Sequence, residues 1–536
     1  MGLSARIVWG MRRGLWNFIA TVKFKNNEPL AILPVPGRFE ELTAVPFRQR
    51  YPSIPVQFLQ VASRAPEDER RPRLQYFKKV MMFVCQRALC KVFSPMQHGL
   101  SPVDFDLQVA LAEGFRPRHN RTAERVARKR NLSAGVRLRR PVVPLELQGV
   151  PDLGLLAVQG PYAAYLRRTE EEIYEWDLRW LSNGGIACHP GLVRPWAAVR
   201  FRTDQASRRL RPTSIATELG IVHPEHPLWP RAVQVALCAA GTHTGLIRHW
   251  NWLHLTVGES VALATRRTFP PHHPICRLLW PHVYGTHQSN YFGNVAQLRP
   301  GGDFEQVYSL THAGICAAFD AAGADFRMDF GDPVADAERR GLAGSGLDLP
   351  TQRNMVALFR VMERHAERYV RLYYASDSDV RADPALQEWV KVLGRFMPHA
   401  GLGPLESKVQ LVALVARFIH LVTAYHESVG ALLWNYQLWT GIHPIRVYHD
   451  GRREPIDVFQ RLVNMNYLLH VVRARLVDDY AGLALVEPTN PARTEQAREA
   501  FRAFRRDLEA LQRVMEAEPR SHWTIYPVTL EASINA

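Results

Sequence analysis

Residues 249–254 read His-Trp-Asn-Trp-Leu-His (HWNWLH), two histidines five positions apart in a segment otherwise apolar enough to be buried. On an ideal α-helix five residues turn the chain by about 500°, which leaves the two rings about 140° apart on different faces. A π-type turn, with its wider ring of backbone hydrogen bonds, brings positions i and i+5 nearly into register, and such turns are frequent at functional sites. The spacing therefore predicts either two unrelated buried imidazoles or one π turn that aims both at a shared metal. With 21 histidines in 536 residues, about one pair at any chosen spacing arises by chance, so this pair needs support from elsewhere in the chain.

Working outward, Pro230–Thr265 is one long, largely apolar stretch that carries the motif and predicts helix, with a break around Gly241–Gly245. Glu406–Trp439 (ESKVQLVALVARFIHLVTAYHESVGALLWNYQLW) is apolar nearly all round and as a helix would run about 50 Å, long enough to cross a membrane. Arg417, His420, His426 and Glu427 in its middle are costly in lipid, so the stretch reads as a central helix covered by other helices, whose histidines then need partners. Ala497, Phe501, Phe504, Leu508, Leu511 and Met515 alternate steps of four and three, the stripe of an amphipathic helix ending before Pro519. The tail that follows carries no charge after Glu531, which predicts insertion into the protein rather than fraying.

Upstream, the first 150 or so residues are irregular and rich in Pro and Arg, with helical patches such as Leu74–Val92; Leu155–Leu181 alternates like strand. Residues 1–25 (MGLSARIVWGMRRGLWNFIATVKFK) show an arginine pair and an apolar run cut short by Lys23 and Lys25, without a small-residue cleavage site. They predict an interfacial amphipathic helix rather than a secretory signal, and hence a cytoplasmic, membrane-peripheral protein. Hydrophobic residues at 47% and charged ones at 22% are those of a globular protein with a large core. Cys85, Cys90, Cys188, Cys238, Cys276 and Cys316 are scattered without a CxxC, so neither a disulfide framework nor a cysteine zinc site is expected. The net charge of +16, concentrated in Arg116–Arg140 and Arg200–Arg211, attracts anionic membranes and fatty acid carboxylates. No zinc-finger, RNP-like or basic-zipper pattern accompanies it, so nucleic acid is not the expected partner.

Together these pieces resemble the lipoxygenase family. HWNWLH resembles the segment with the first two metal ligands, Ala262–Gly293 the stretch that follows, through His273-Pro274, Leu278-Leu279, Pro281-His282 and Asn290, and TAYHESVG (Thr423–Gly430) the segment around the third histidine. YPVTLEASINA resembles the C-terminus, whose terminal carboxylate is itself a ligand. The resemblance runs from about Leu155 to Ala536 and implies a mainly α fold, with long buried central helices carrying the metal ligands and few short strands. The expected organisation is a basic, partly helical region at 1–150 packed on a catalytic domain at 151–536, without an N-terminal β-sandwich lipid-binding domain.

The implied ligands are His249, His254, His426 and the carboxylate of Ala536, around non-haem iron, with manganese as second choice. The implied reaction abstracts a hydrogen atom from a bis-allylic carbon of a polyunsaturated fatty acid or fatty acyl lipid and adds O2 to give a hydroperoxide. The abstracting group is a metal-bound hydroxide and no side chain is assigned to that step. A monomer is expected. An altered chemistry (hydroperoxide isomerisation, or oxidation of another apolar metabolite) and a redox-inactive lipid-binding homologue are the alternatives.

For substrate, Gln297 falls where a leucine clamps the chain in the family, with Leu298 next to it, and Gly293 falls where many R-forming members have glycine and most S-forming ones alanine. Gly293 thus implies an R hydroperoxide, or else a packing glycine. Three departures bear on the metal. Gly430 stands where the family has a fourth side-chain ligand, Gly245 and Leu433 stand where many members have two glutamines, and one extra residue after His254 displaces Glu259 in the sequence. His243, His272, His273, His282 and His420 are expected to be structural or to support the metal ligands from behind.

Overall fold

The computed structural model describes residues 33–70, 151–204, 206–324, 326–437, 443–452, 474–518 and 524–534. Its centre is one uninterrupted helical rod. Trp229–Thr242 is α-helical (α1), His243–Gly258 is π-helical, and Glu259–Thr268 is α-helical again (α2). The expected break at Gly241–Gly245 is not there. The glycines are needed for contact rather than for a turn, because side chains from neighbouring elements press onto the rod at both positions.

Helix α3 (Pro274–Val283) opens on a His273 cap, its ring nitrogen accepting from the Ile275 N–H, and α4 (Thr286–Gly293) runs on into a short π turn at Asn294–Leu298. Helix α5 (His312–Ala324) holds the rod from the side: Asn251 Nδ2 donates to the Phe319 carbonyl at 2.9 Å and Trp252 Nε1 to that of Ala322 at 3.1 Å.

The long apolar stretch near residue 420 forms a second continuous rod. Helix α6 (Lys408–His420), capped by Ser407, passes through a π turn at Leu421–Tyr425 into α7 (His426–Asn435). Lys408–Gly430 is long and apolar enough to cross a membrane by length and composition, yet most of it is buried inside the protein. Its cover comes from Pro350–Tyr373, whose stripe of Leu358, Phe359, Met362, Ala366 and Val370 is buried. On the other side that helix meets Pro491–Ala517, where Phe504 stacks on His365 with centroids 4.1 Å apart. The buried face of Pro491–Ala517 includes Ala497, Phe501, Phe504, Leu508 and Met515, the stripe expected from the sequence, with Leu511 partly buried beside it.

A five-stranded antiparallel sheet, β1 (Arg167–Glu170), β2 (Ile173–Asp177), β3 (Ala198–Thr203), β4 (Leu210–Thr217) and β5 (Gly220–Val222), lies in sequential order. Alternation sends Val199 and Phe201 inward and leaves Arg200 and Arg202 outside, the division expected of a sheet with one wet face. Strand begins only at Arg167, so the reading of Leu155–Leu181 is corrected. Leu153–Leu156 and Pro161–Ala164 are short helical turns whose Leu156 and Tyr162 drop into the core, a need that produces the same apolar spacing as strand.

Of the region 1–150, residues 33–70 are described. They contain a strand pair, Ala44–Pro46 with Gln60–Ala62, and are built into the helical body, with Leu33, Leu42 and Ala62 in its main core. Leu74–Val92 and the N-terminal apolar helix lie outside the described residues.

Candidate metal centre

The sixteen residues of π-helix place His249 and His254 one above the other, as the five-residue spacing requires. Thr256 Oγ1 bonds the Asn251 carbonyl, also five residues back, at 2.9 Å, fastening a carbonyl of the widened turn. The π turn at Leu421–Tyr425 delivers His426 from the second rod. The three Nε2 atoms converge: His249 to His426 at 3.0 Å, His254 to His426 at 3.1 Å, and His254 to His249 at 3.3 Å. All three residues are buried, and His249 has its pKa pushed down to about 4 by burial, so its ring is neutral at physiological pH.

Three Nε2 atoms turned toward one point cannot all satisfy each other, since each neutral imidazole offers at that atom either a proton or a lone pair. Nitrogens about 2.1 Å from a shared ion and at right angles lie about 3.0 Å apart, close to the observed separations. The donor set therefore fits a first-row metal on one face of its coordination sphere.

The ring of His254 is fixed from behind. Its Nδ1–H donates to Asn290 Oδ1 at 3.1 Å, which leaves the Nε2 lone pair inward; Asn290 Nδ2 in turn donates to the His254 carbonyl at 2.8 Å and to Glu259 Oε2 at 3.0 Å. Glu259 also accepts from His287 Nδ1 at 2.9 Å and from the Ala62 N–H at 3.0 Å, with the Arg50 guanidinium 4.0 Å away. Burial opposes its charge, but His287, Arg50 and the Ala62 N–H outweigh this and pull its pKa down to about 2. The extra residue after His254 does not turn Glu259 away. The π-helix continues through Gly258, so five residues in the wide helix cover the angle that four cover in an α-helix.

Of the other expected site residues, Leu298 is buried in the core cluster that contains Trp250 and Leu246, while Gln297 is half-buried. The space above Gly293 is not open. The six-membered ring of Trp250 fills it, so that a methyl group there would overlap Cη2 and Cζ2, the contact expected of a packing glycine. Gly245 is filled likewise by the Tyr308 hydroxyl, which donates to Gln437 Oε1 at 3.4 Å; the bulk absent from position 245 arrives from the residue that ends the helix Asp303–Val307. Gly430 differs from both. A Cβ there would lie 3.5 Å from His249 Nε2 and 3.7 Å from its Cε1, and would meet no other neighbouring group within 4 Å among the described residues.

Ala536 and the side chain of Leu433 lie outside the described residues. The tail is placed as far as Ile534, which is buried and packed so closely on Gly258 that a methyl on that glycine would overlap it. The two residues beyond Ile534 can span at most about 7 Å. Arg50, Ala62 and His287 were missed as partners of Glu259; within PFRQRYP nothing marks one arginine as destined for a buried carboxylate two hundred residues away.

A helical domain with three buried histidines on two π-interrupted rods forms a candidate metal centre, and part of the chain is similar to known proteins. Residues 222–450 match the lipoxygenase family model. The chain is 33% identical over 189 residues to the mouse epidermal-type polyunsaturated fatty acid (12S)/(13S)-lipoxygenase, covering 33% of this chain and 28% of that one. It is 31% identical over 205 residues to the linoleate 9/13-lipoxygenase of Pseudomonas aeruginosa, covering 38% and 30%. Each match thus spans less than a third of these relatives. Among solved structures, an arachidonate complex of a lipoxygenase variant superposes with a TM-score of 0.74 at 15% identity, covering 92% of this chain and 79% of that one. The manganese lipoxygenase of Gaeumannomyces graminis superposes with a TM-score of 0.69 at 15% identity, covering 98% of both. Residues 222–450 are thus similar to the lipoxygenase family, whose members carry a catalytic metal, and the fold is that of lipoxygenase catalytic domains.

Proposed function

We propose that the chain is a dioxygenase that inserts O2 into a polyunsaturated fatty acid, or its acyl ester, to give a hydroperoxide. The observation that carries this is the convergence of three buried Nε2 atoms, from His249, His254 and His426, in a donor set suited to a redox metal. The names of the relatives, which act on linoleate and other polyunsaturated fatty acids, supply the substrate class.

His249, His254, His426 and the Ala536 carboxylate would hold iron; manganese suits the same donors. When bound, the metal supplies one-electron chemistry at a bis-allylic C–H bond. The protein does the rest. Asn290 holds His254 in the tautomer that can donate inward, Glu259 holds Asn290, and burial keeps bulk water from the histidine cluster. The net charge of +16 supports peripheral docking on anionic membranes, read out by flotation with phosphatidylserine vesicles at low and high salt.

Metal analysis of the purified protein tests the site. About one iron per chain is expected, lost in His254→Ala and in His426→Ala. Manganese in place of iron would change the metal assignment, and full occupancy in both variants would overturn the ligand set.

A further inference from the structure

We propose that Gly430 leaves the metal position beside His249 to a small external nitrogen or oxygen donor, so that this centre accepts one more exogenous ligand than its side chains alone would allow. The inference rests on the reading of His249, His254 and His426 as metal ligands.

Three glycines of the site allow a comparison. The space a side chain would take at Gly293 is filled by Trp250, and at Gly245 by Tyr308, so neither is open. At Gly430 no neighbour among the described residues has moved in. The nearest atoms to a Cβ there are His249 Nε2 at 3.5 Å and Cε1 at 3.7 Å, an ordinary van der Waals approach. Gly430 stands four residues after His426 on the same helix, hence on the same face, and that face carries His426 to the cluster. A residue at 430 would thus point where the three nitrogens point, and glycine has nothing to offer.

Three imidazoles on one face of a first-row ion leave the positions opposite them to other donors. On the Gly430 side, next to the nitrogen of His249, no side chain among the described residues offers a donor, which leaves the position to one from outside. The gap beside an α-carbon without substituent admits a compact, monodentate donor: water, a hydroxyl or peroxide oxygen, or an imidazole. A bidentate carboxylate is poorly suited to so narrow an approach.

Imidazole is the probe. The full-length native protein and Gly430→His are both loaded with Co(II), their metal content is measured, and each is titrated with imidazole by visible absorption and calorimetry. The native protein is expected to bind one more imidazole per metal than Gly430→His, in which the new side chain takes the position. Gly430→Ala, whose methyl occupies the gap without donating, is expected to keep its metal and to bind that additional imidazole at least tenfold more weakly. Equal stoichiometry in the loaded native and Gly430→His proteins, or undiminished affinity in Gly430→Ala, overturns the proposal. Should Gly430→His not take up metal, Gly430→Ala decides alone. A native protein that holds no Co(II) instead defeats the ligand reading on which the inference rests.

Discussion

The six-membered ring of Trp250 lies across Gly293 at a distance that leaves no room for a methyl group, while the same indole stacks on His254 with ring centroids 4.6 Å apart and planes inclined by 26°. Gly293 is therefore joined to a candidate metal ligand through one tryptophan. Gly293→Ala must push the indole off His254 or shift α4, and overpacking of this kind costs about 1–3 kcal/mol. A lowered melting temperature and a changed product ratio are expected together, and Trp250→Phe in the same chain should restore stability by removing the ring that collides. An alanine variant with native stability and native products would show that the indole has free space after all.

Glu259 carries the second prediction. It organises Asn290, His287 and the Ala62 N–H at once, so Glu259→Gln replaces an acceptor of several donors with a group that adds two donors of its own. Loss of partners of this kind weakens metal binding by about 10–100-fold. Competition with a chelator measures it; unchanged retention of metal would mean that His254 is held without this chain of contacts.

How much of this could be read from residues alone follows from what each pattern depends on. HWNWLH was legible because ligand geometry ties spacing to backbone: two imidazoles five positions apart share a face only on a π turn, and the structure has one there, whereas TAYHESVG, with a single histidine of the set, was legible only through its resemblance to the family. The stripe of Pro491–Ala517 was legible because burial on one helical face leaves a period. The continuity of the rod at Gly241–Gly245 was not, since a glycine that breaks a helix and a glycine that admits Tyr308 look the same in sequence. Nor was the filling of Gly293, which depends on where a residue forty-three positions earlier places its ring. Within Leu155–Leu181 strand holds at Arg167–Glu170 and Ile173–Asp177 and fails before them for a related reason: short turns that each drop one large residue into a core imitate alternation.

Acid should destabilise the protein, with a sign fixed by its buried histidines. Burial pushes His282, His420 and His443 down to about 4 and His365 to about 3. The unfolded chain takes up these protons near pH 6.5, whereas the folded one refuses them until about pH 4. Stability is thus fully present above about pH 6.5 and lost as pH falls toward 4, each histidine costing about 1.4 kcal/mol per pH unit within that window. Glu259, depressed to about 2, adds a loss in the same direction as pH falls below its usual range. Urea midpoints should drop steeply between neutral and mildly acid buffers, and a flat profile would contradict the burial of these rings as neutral groups.

The C-terminal segment is fastened by His282 Nδ1 donating to the Ala532 carbonyl at 2.6 Å, by the Ala532 N–H to the Ala474 carbonyl at 3.0 Å, and by Ile534 against Gly258. Deleting residues 535–536 leaves all of these contacts, so the melting temperature of the apoprotein should hold while metal content falls. Ile534→Ala, which empties a fully buried site, should by contrast cost about 2–4 kcal/mol. A deletion variant with its full metal complement would remove Ala536 from the ligand set.

Oxygenation of polyunsaturated fatty acids at the three-histidine site is the activity proposed here. Oxygen uptake by the metal-loaded chain with linoleate and arachidonate, followed together with conjugated-diene absorbance, tests it most directly. One O2 consumed per diene formed is expected, with both signals lost in His254→Ala. A protein with its full metal complement that produces no diene from either fatty acid would contradict it.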